Sequence, residues 1–187
     1  MKKTILLVVF ATALFSTATV QAQKDGKKFS AGFGIESGLI LGDDAMKNAF
    51  AAEFGFSARF SVKAGPGYVT FTPGGMLVFP KSLKIDEENG NADIKVGSHI
   101  PLKLGYKYII AEKFFVMAEA GYAHYTFYST ESESDEIVKV KDGGFTYAPS
   151  IGANLGKFEI GLRYEASVLK DLDLKPSTLG LRIGFNF

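Results

Sequence analysis

The chain has 187 residues, a formal net charge of +1 and 22% charged residues, which is enough for one domain and lacks the basic excess of a nucleic-acid-binding protein. It contains no Cys, which excludes a disulfide framework and thiolate chemistry. Seventeen Phe, eight Tyr and twenty-one Gly with no Trp favour strands and turns over helices.

In chain order, the first feature is a basic start, Met1-Lys2-Lys3, followed by the apolar run TILLVVFATALF and the small residues STATVQAQ. Val20 and Ala22 flank Gln21 in a V-x-A pattern, so residues 1–22 are predicted to be a secretory signal peptide cut after Ala22. The run is shorter than the roughly 20 apolar residues a membrane-spanning helix needs. Its removal takes away Lys2 and Lys3 and leaves residues 23–187 at a formal charge of −1.

After a polar lead, QKDGKK, alternation begins. Phe29, Ala31, Phe33 and Ile35 alternate with Ser30, Gly32, Gly34 and Glu36. A second stretch sets Phe50, Ala52, Phe54, Phe56, Ala58, Phe60 and Val62 against Ala51, Glu53, Gly55, Ser57, Arg59, Ser61 and Lys63. Period-two patterning of this length predicts strands with one apolar and one polar face. A third strand, Tyr68 to Phe79, is predicted to bend or bulge at Pro73-Gly74-Gly75. IKVGSHIPLKLGYKY, FFVMAEAGYAHYTFY, FTYAPSIGANL, FEIGLRYEASV and the final LGLRIGFNF bring the total to eight, and no stretch shows helical periodicity. The odd links between strands are long and polar (GDDAMKNA, KSLKIDEENGNAD, STESESDEIVKVKDG, LKDLDLKPS), whereas the even ones are short. A chain running up and down between two different surroundings has this asymmetry, and transmembrane barrels pair short periplasmic turns with longer extracellular loops.

Volume decides which face meets water. An eight-stranded barrel has an interior just wide enough for side chains to fill. Phe at 29, 33, 50, 54, 56, 60, 158, 185 and 187, with Tyr106, Tyr108 and Tyr164, is too much for such a lumen, so the apolar face is predicted to meet lipid. The expected fold is an all-β, eight-stranded antiparallel up-and-down transmembrane β-barrel. Tyr106, Tyr108, Phe114 and Phe115, beside a short turn, are expected to form an interfacial girdle. The polar face places Glu36, Glu53, Glu119, Glu159 and Glu165 opposite Arg59, Lys63, Lys95, Lys103, Lys107, Arg163 and Arg182, near balance, as buried charges require. Glu36, Glu53, Arg59, Glu119, Glu159, Arg163, Glu165 and Arg182 are the expected lumen charge network, with His99 beside Lys95 and Lys103. A narrow ion path is the alternative use of these charges.

The signal peptide, the eight alternating strands and the terminal Phe187 resemble the small eight-stranded outer-membrane barrels of Gram-negative bacteria, the OmpX and OmpA type. IPLKLGYKY, FVMAEAGYAHY, GANLGKFEIGLRYEAS and LGLRIGFNF are similar to the outer-membrane β-barrel domain family, often called the porin family, across essentially all of residues 23–187. The resemblance implies location in the outer membrane, contact with its lipid and lipopolysaccharide, and a C-terminal strand read by the barrel-assembly machinery. Leu179, Leu181, Ile183, Phe185 and Phe187 match that assembly signal position by position.

The expected protein is a monomer without cofactors, metal or catalytic residues, working through its long loops on a surface partner whose identity stays open. Some barrels of this size modify lipid A, and the deacylases use a His-x-Ser pair on a lipid-facing strand. His124-Tyr125-Thr126 is the nearest counterpart and lacks the nucleophile. Two separated His without Cys do not suit a transition-metal site. Asp86 to Asp93 lacks the ligand spacing of a calcium loop, and Asn89-Gly90 reads as a hairpin turn. Glu131, Glu133, Asp135 and Glu136 read as a solvated loop. Ile137, Lys139 and Lys141 alternating with Val138 and Val140 suggest that two strands continue above the membrane, with an edge open to a partner.

Overall fold

The computed structural model describes residues 28–81, 84–85, 92–93, 96–130, 137–172 and 174–187. The predicted signal peptide, Lys95, Asn89-Gly90 and the acidic residues from Glu131 to Glu136 lie outside the described residues.

Eight strands form one closed antiparallel barrel in which each pairs with its neighbours in sequence and the last returns to the first. They are β1 (Phe29–Ile40), β2 (Phe50–Ala64), β3 (Gly67–Pro80), β4 (Gly97–Ile110), β5 (Phe114–Thr130), β6 (Ile137–Leu155), β7 (Phe158–Leu169) and β8 (Ser177–Asn186). A two-residue ribbon in the third link pairs Lys84–Ile85 with Ala92–Asp93. Closure is made by β1 and β8, in register from Gly32↔Asn186 to Ile40↔Thr178. No helix among the described residues is long and apolar enough to cross a membrane, and the strands do the crossing.

The alternation of the sequence becomes the two faces of the wall. Along β1 and β7 every second residue is buried, and the exposed set is apolar apart from Ser37: Phe33, Ile35 and Leu39 on β1, and Phe158, Ile160, Leu162 and Val168 on β7. Phe56 is 71% exposed and Leu104 62% exposed, while Glu159 and Lys103 are each 1% exposed. A water-soluble barrel has the opposite arrangement, so the apolar band faces hydrocarbon.

Four local expectations are corrected. The first link contains a six-residue helix, α1 (Asp44–Ala49), started by Asp43, whose carboxylate accepts from the Met46 N–H at 3.0 Å. Six residues are too few for a periodic signal. Pro73-Gly74-Gly75 interrupts the ladders on both sides of β3 but causes no bulge: the β2–β3 register is the same before and after it, and the shift lies between Phe50 and Ala52. That shift turns Phe50 away from the lipid face and packs its ring on Phe127, 5.3 Å between centroids. Phe115, expected in the girdle, is 2% exposed and points inward, because it shares a face with Met117 and Glu119.

Leu104 lies mid-way along β4, between Phe71 and Ala120 on its neighbours, and faces lipid. Leu104→Arg is expected to destabilise the barrel in phospholipid vesicles by about 2–4 kcal/mol, read as a lowered urea midpoint. An unchanged midpoint would mean that this face meets water.

Candidate functional site

The lumen holds five carboxylates (Glu36, Glu53, Glu119, Glu159, Glu165) and five lysine or arginine cations (Arg59, Lys103, Lys107, Arg163, Arg182), all buried. They form three tiers along the barrel axis. Nearest the short turns, Glu159 receives Arg59 and Lys107 on its two oxygens, and Arg182 Nη1 stands 2.8 Å from Oε1. Lys107 also donates to Asn154 Oδ1 at 2.9 Å. In the middle tier Glu36 binds Arg163 and accepts from Ser57, with Arg182 Nε 3.4 Å from Oε1. Glu119 accepts from the Thr72 hydroxyl at 2.5 Å and faces Arg163 Nη2 at 3.5 Å. Towards the loops Glu165 pairs with Lys103, and His99 is set between Glu53 (3.3 Å) and Glu165 (3.2 Å).

Local sequence makes room for these long side chains. A Cβ at Gly34 would lie 2.7 Å from Arg182 Cζ, and one at Gly184 would lie 2.4 Å from its Nη1. The paired glycines Gly34↔Gly184 are therefore the slot in which the Arg182 guanidinium lies across the seam. Removing every carboxylate partner from such a buried cation would cost more than the pair itself gains.

Both ends of the charged stack are closed by apolar side chains. On the turn side the Phe115 ring lies beneath Gly152 and 4.2 Å from Lys107 Nζ. On the loop side Tyr125 stacks on His99, 4.3 Å between rings, and its hydroxyl meets Ser167 Oγ at 3.0 Å. Above it Ile40, Met46, Val78, Ala123, Phe127 and Leu169 form a buried apolar cluster, with Phe50, Leu172 and Leu174 packed against it. Sequence reasoning anticipated a polar filling and missed this cap. Its members are scattered over a helix, five strands and a link, so no periodicity marks them.

Two carboxylates tie the cap down. Asp43 Oδ2 accepts from the Lys175 N–H at 3.2 Å, joining the first link to the seventh. Asp142 accepts from the backbone N–H groups of Gly143 (2.6 Å), Asp171 and Leu172 (3.0 Å each), joining the seventh link to β6.

The remaining candidates are dispersed. Lys63 is exposed rather than in the lumen, and its Nζ lies 4.7 Å from the Tyr68 ring centre. It has the inward parity of Arg59 and Ser61, but at the rim a long side chain swings out to water. His124 is half-buried on the outer wall, opposite Ile100 and Gly143, away from the lumen groups. No group of His, Asp and Glu suited to holding a metal ion occurs among the described residues. Leu179, Leu181 and Ile183 face outward. Phe187 packs edge-to-face on Phe33 and Phe185 (5.4 and 5.3 Å), and its N–H donates to Ala31 at 2.8 Å.

A closed eight-stranded wall, apolar outside and filled with paired charges inside, defines an outer-membrane barrel. Residues 8–187 match the family described as outer membrane protein beta-barrel domain, and the chain belongs to that family. A search of the curated proteins finds no match. Among solved structures the chain is similar to Ail, the attachment invasion locus protein of Yersinia pestis, with a TM-score of 0.60, 16% identity, and 85% of this chain and 97% of Ail covered. It is also similar to the N-terminal β-barrel domain of Pseudomonas aeruginosa OprF (TM-score 0.59, 14% identity, 89% and 100% covered). Neisserial surface protein A is a third such barrel (TM-score 0.52, 11% identity, 86% and 98% covered). At these identities the likeness is one of fold.

Glu159→Gln leaves Arg59, Lys107 and Arg182 without the carboxylate they share. The expected loss is about 3–5 kcal/mol, read from urea unfolding in vesicles. Lys63→Gln, at the rim, is expected to stay within about 0.5 kcal/mol of the parent.

Proposed function

We propose that the barrel is a non-enzymatic membrane anchor that works by surface contact on its loop side, through an arm formed by β5 and β6. The observation that carries this reading is how far those two strands outrun their neighbours. β6 pairs with β7 only from Gly144 onward, while its residues from Ile137 to Gly143 pair with β5 alone. On the other side the β4–β5 ladder ends at Ser98↔Thr126. Beyond Thr126 the two strands form a ribbon with both edges unpaired by the barrel. Free strand edges present N–H and C=O groups to which an extended segment of a partner can add. Lys139 and Lys141 face outward on this ribbon, and Lys139 lies over the Tyr128 ring at 5.7 Å.

The charge-paired lumen with its apolar ends supports this reading over a narrow channel, since an ion crossing it would have to separate buried pairs. The position of His124, outside any cluster of catalytic groups described above, supports it over lipid A modification. The names of two barrels of the same fold, an attachment invasion locus protein and a Neisserial surface protein, are in keeping with it. In this reading residues 1–22 are a cleaved signal peptide, and Leu179, Leu181, Ile183, Phe185 and Phe187 are read by the barrel-assembly machinery. The monomer sits in outer-membrane lipid and lipopolysaccharide.

Replacing residues 128–140 by a two-residue turn is expected to leave the heat-dependent gel shift of a folded barrel intact. It should abolish adherence of expressing bacteria to epithelial monolayers. Adherence unchanged by the deletion overturns the proposal. So do conductance steps in planar bilayers that alter on neutralising Arg59 or Arg163, or a lipid A mass change on expression that His124→Ala abolishes.

A further inference from the structure

A concavity in the outer wall is explained by neither the lumen nor the loops. It is a groove of about 820 Å³ that crosses β7, β8 and β1 to β4, lined by Phe158 and Phe185 at one end and by Phe33, Ile35, Phe56 and Ile100 along its length. Ala58, Pro73, Gly74 and Gly75 line it as well, and they supply the floor because their side chains are small or absent.

That floor breaks the rules of a strand interior. Pro73 has no N–H to give to a ladder, and proline is ordinarily confined to edges and bulges, which a closed barrel lacks here. The β2–β3 ladder passes from Ser57↔Gly74 to Phe60↔Phe71 without pairing Ala58 or Arg59. The β3–β4 ladder passes from Pro73↔Leu102 to Met76↔His99, and a Cβ on Gly74 would lie 3.3 Å from the ring of Pro101.

Gly75 is the more telling residue. Other glycines of the wall are required by close approach of backbone or a side chain: a Cβ at Gly55 would lie 2.1 Å from Gly75 O, one at Gly121 2.0 Å from Leu102 O, and one at Gly34 2.7 Å from Arg182 Cζ. A Cβ at Gly75 would meet nothing within 4 Å, and its φ is not in the left-handed region. Packing therefore tolerates a side chain at Gly75, and its absence leaves the groove open. A strand glycine that packing does not demand marks a place where something else approaches the backbone. A strand rule broken with no gain inside the protein is the signature of a site.

The surroundings determine the occupant. The groove opens within the lipid-facing band, and its lining is almost wholly carbon, so a charged or hydrogen-bonding ligand would lose its hydration for nothing. A flexible hydrocarbon chain lying in a shallow groove touches more protein than one on the convex remainder of the wall. We infer that this groove seats an acyl chain of a membrane phospholipid and holds it in preference to the rest of the barrel surface.

Photolabelling tests this directly. The barrel is reconstituted in dioleoyl phosphatidylcholine vesicles with a trace of a phosphatidylcholine carrying a mid-chain diazirine, irradiated, and mapped by peptide mass spectrometry. Adducts on residues 50–80 are expected to exceed those on residues 114–155 by about fivefold, the difference between a concave and a convex apolar surface. Gly75→Leu, which fills the slot, is expected to bring them down to the level of the wall while the heat-dependent gel shift persists. Should that variant not assemble, Ala58→Leu fills the same floor from β2. Even labelling around the wall overturns the inference, as does labelling unchanged by an assembled slot-filling variant. Protein–protein adducts at this face in place of lipid adducts overturn it equally.

Discussion

A sheet that crosses hydrocarbon cannot keep an edge, and the pairing of β1 with β8 is what removes it. Every unpaired backbone N–H or C=O in lipid costs several kcal/mol, so closure precedes any other stabilising term. Nine paired positions, from Gly32↔Asn186 to Ile40↔Thr178, make that seam. Closing at eight strands then fixes a lumen only as wide as its own side chains. What fills the barrel, what faces outward and where work can be done all follow from that closure.

The lumen cannot be filled with aromatics, because the same strands need their aromatics outside. It is filled instead by long charged side chains laid over glycine, serine and threonine. These pairs are poor evidence of net stability, since desolvation offsets much of their attraction. Their effect lies in register. A one-residue slip of β7 against β6 or β8 would turn Glu159, Arg163 and Glu165 towards lipid and bring Phe158, Ile160, Leu162 and Tyr164 into the lumen. The alternative registers are excluded far more strongly than the native one is favoured.

This division explains what could be read from the chain. Period-two alternation is a property of every wall strand, so the strands, their lipid face and the inward set of charges were legible directly. Features made by a single residue acting away from its strand were not. Phe115 looks like a girdle aromatic until its parity with Glu119 is counted. Lys63 has lumen parity but sits at a rim where a four-carbon stem reaches water. The cap that brings Met46 of α1 over Phe127 of β5 and Leu172 of the last link depends on contacts between segments more than 40 residues apart, and no local pattern encodes it. Asp43 goes unmarked for the same reason, since a helix of six residues has no periodicity to mark the residue ahead of it as a cap.

The two ends of the barrel are closed in different ways, and the difference matters for where a partner can be met. The turn side is sealed from within by Phe115, a side chain of the wall itself. The loop side is sealed by wall residues together with Met46 of α1 and Leu172 and Leu174 of the seventh link, held by the carboxylates of Asp43 and Asp142 on backbone N–H groups of that link. Those clamps commit the first and seventh links to the cap, into which Met46, Leu172 and Leu174 pack. Among the described residues of the β5–β6 ribbon beyond Thr126, the ring of Phe127 is the part that packs into the cap. The ribbon thus carries strand edges that the barrel leaves unpaired beyond Thr126 on β5 and before Gly144 on β6.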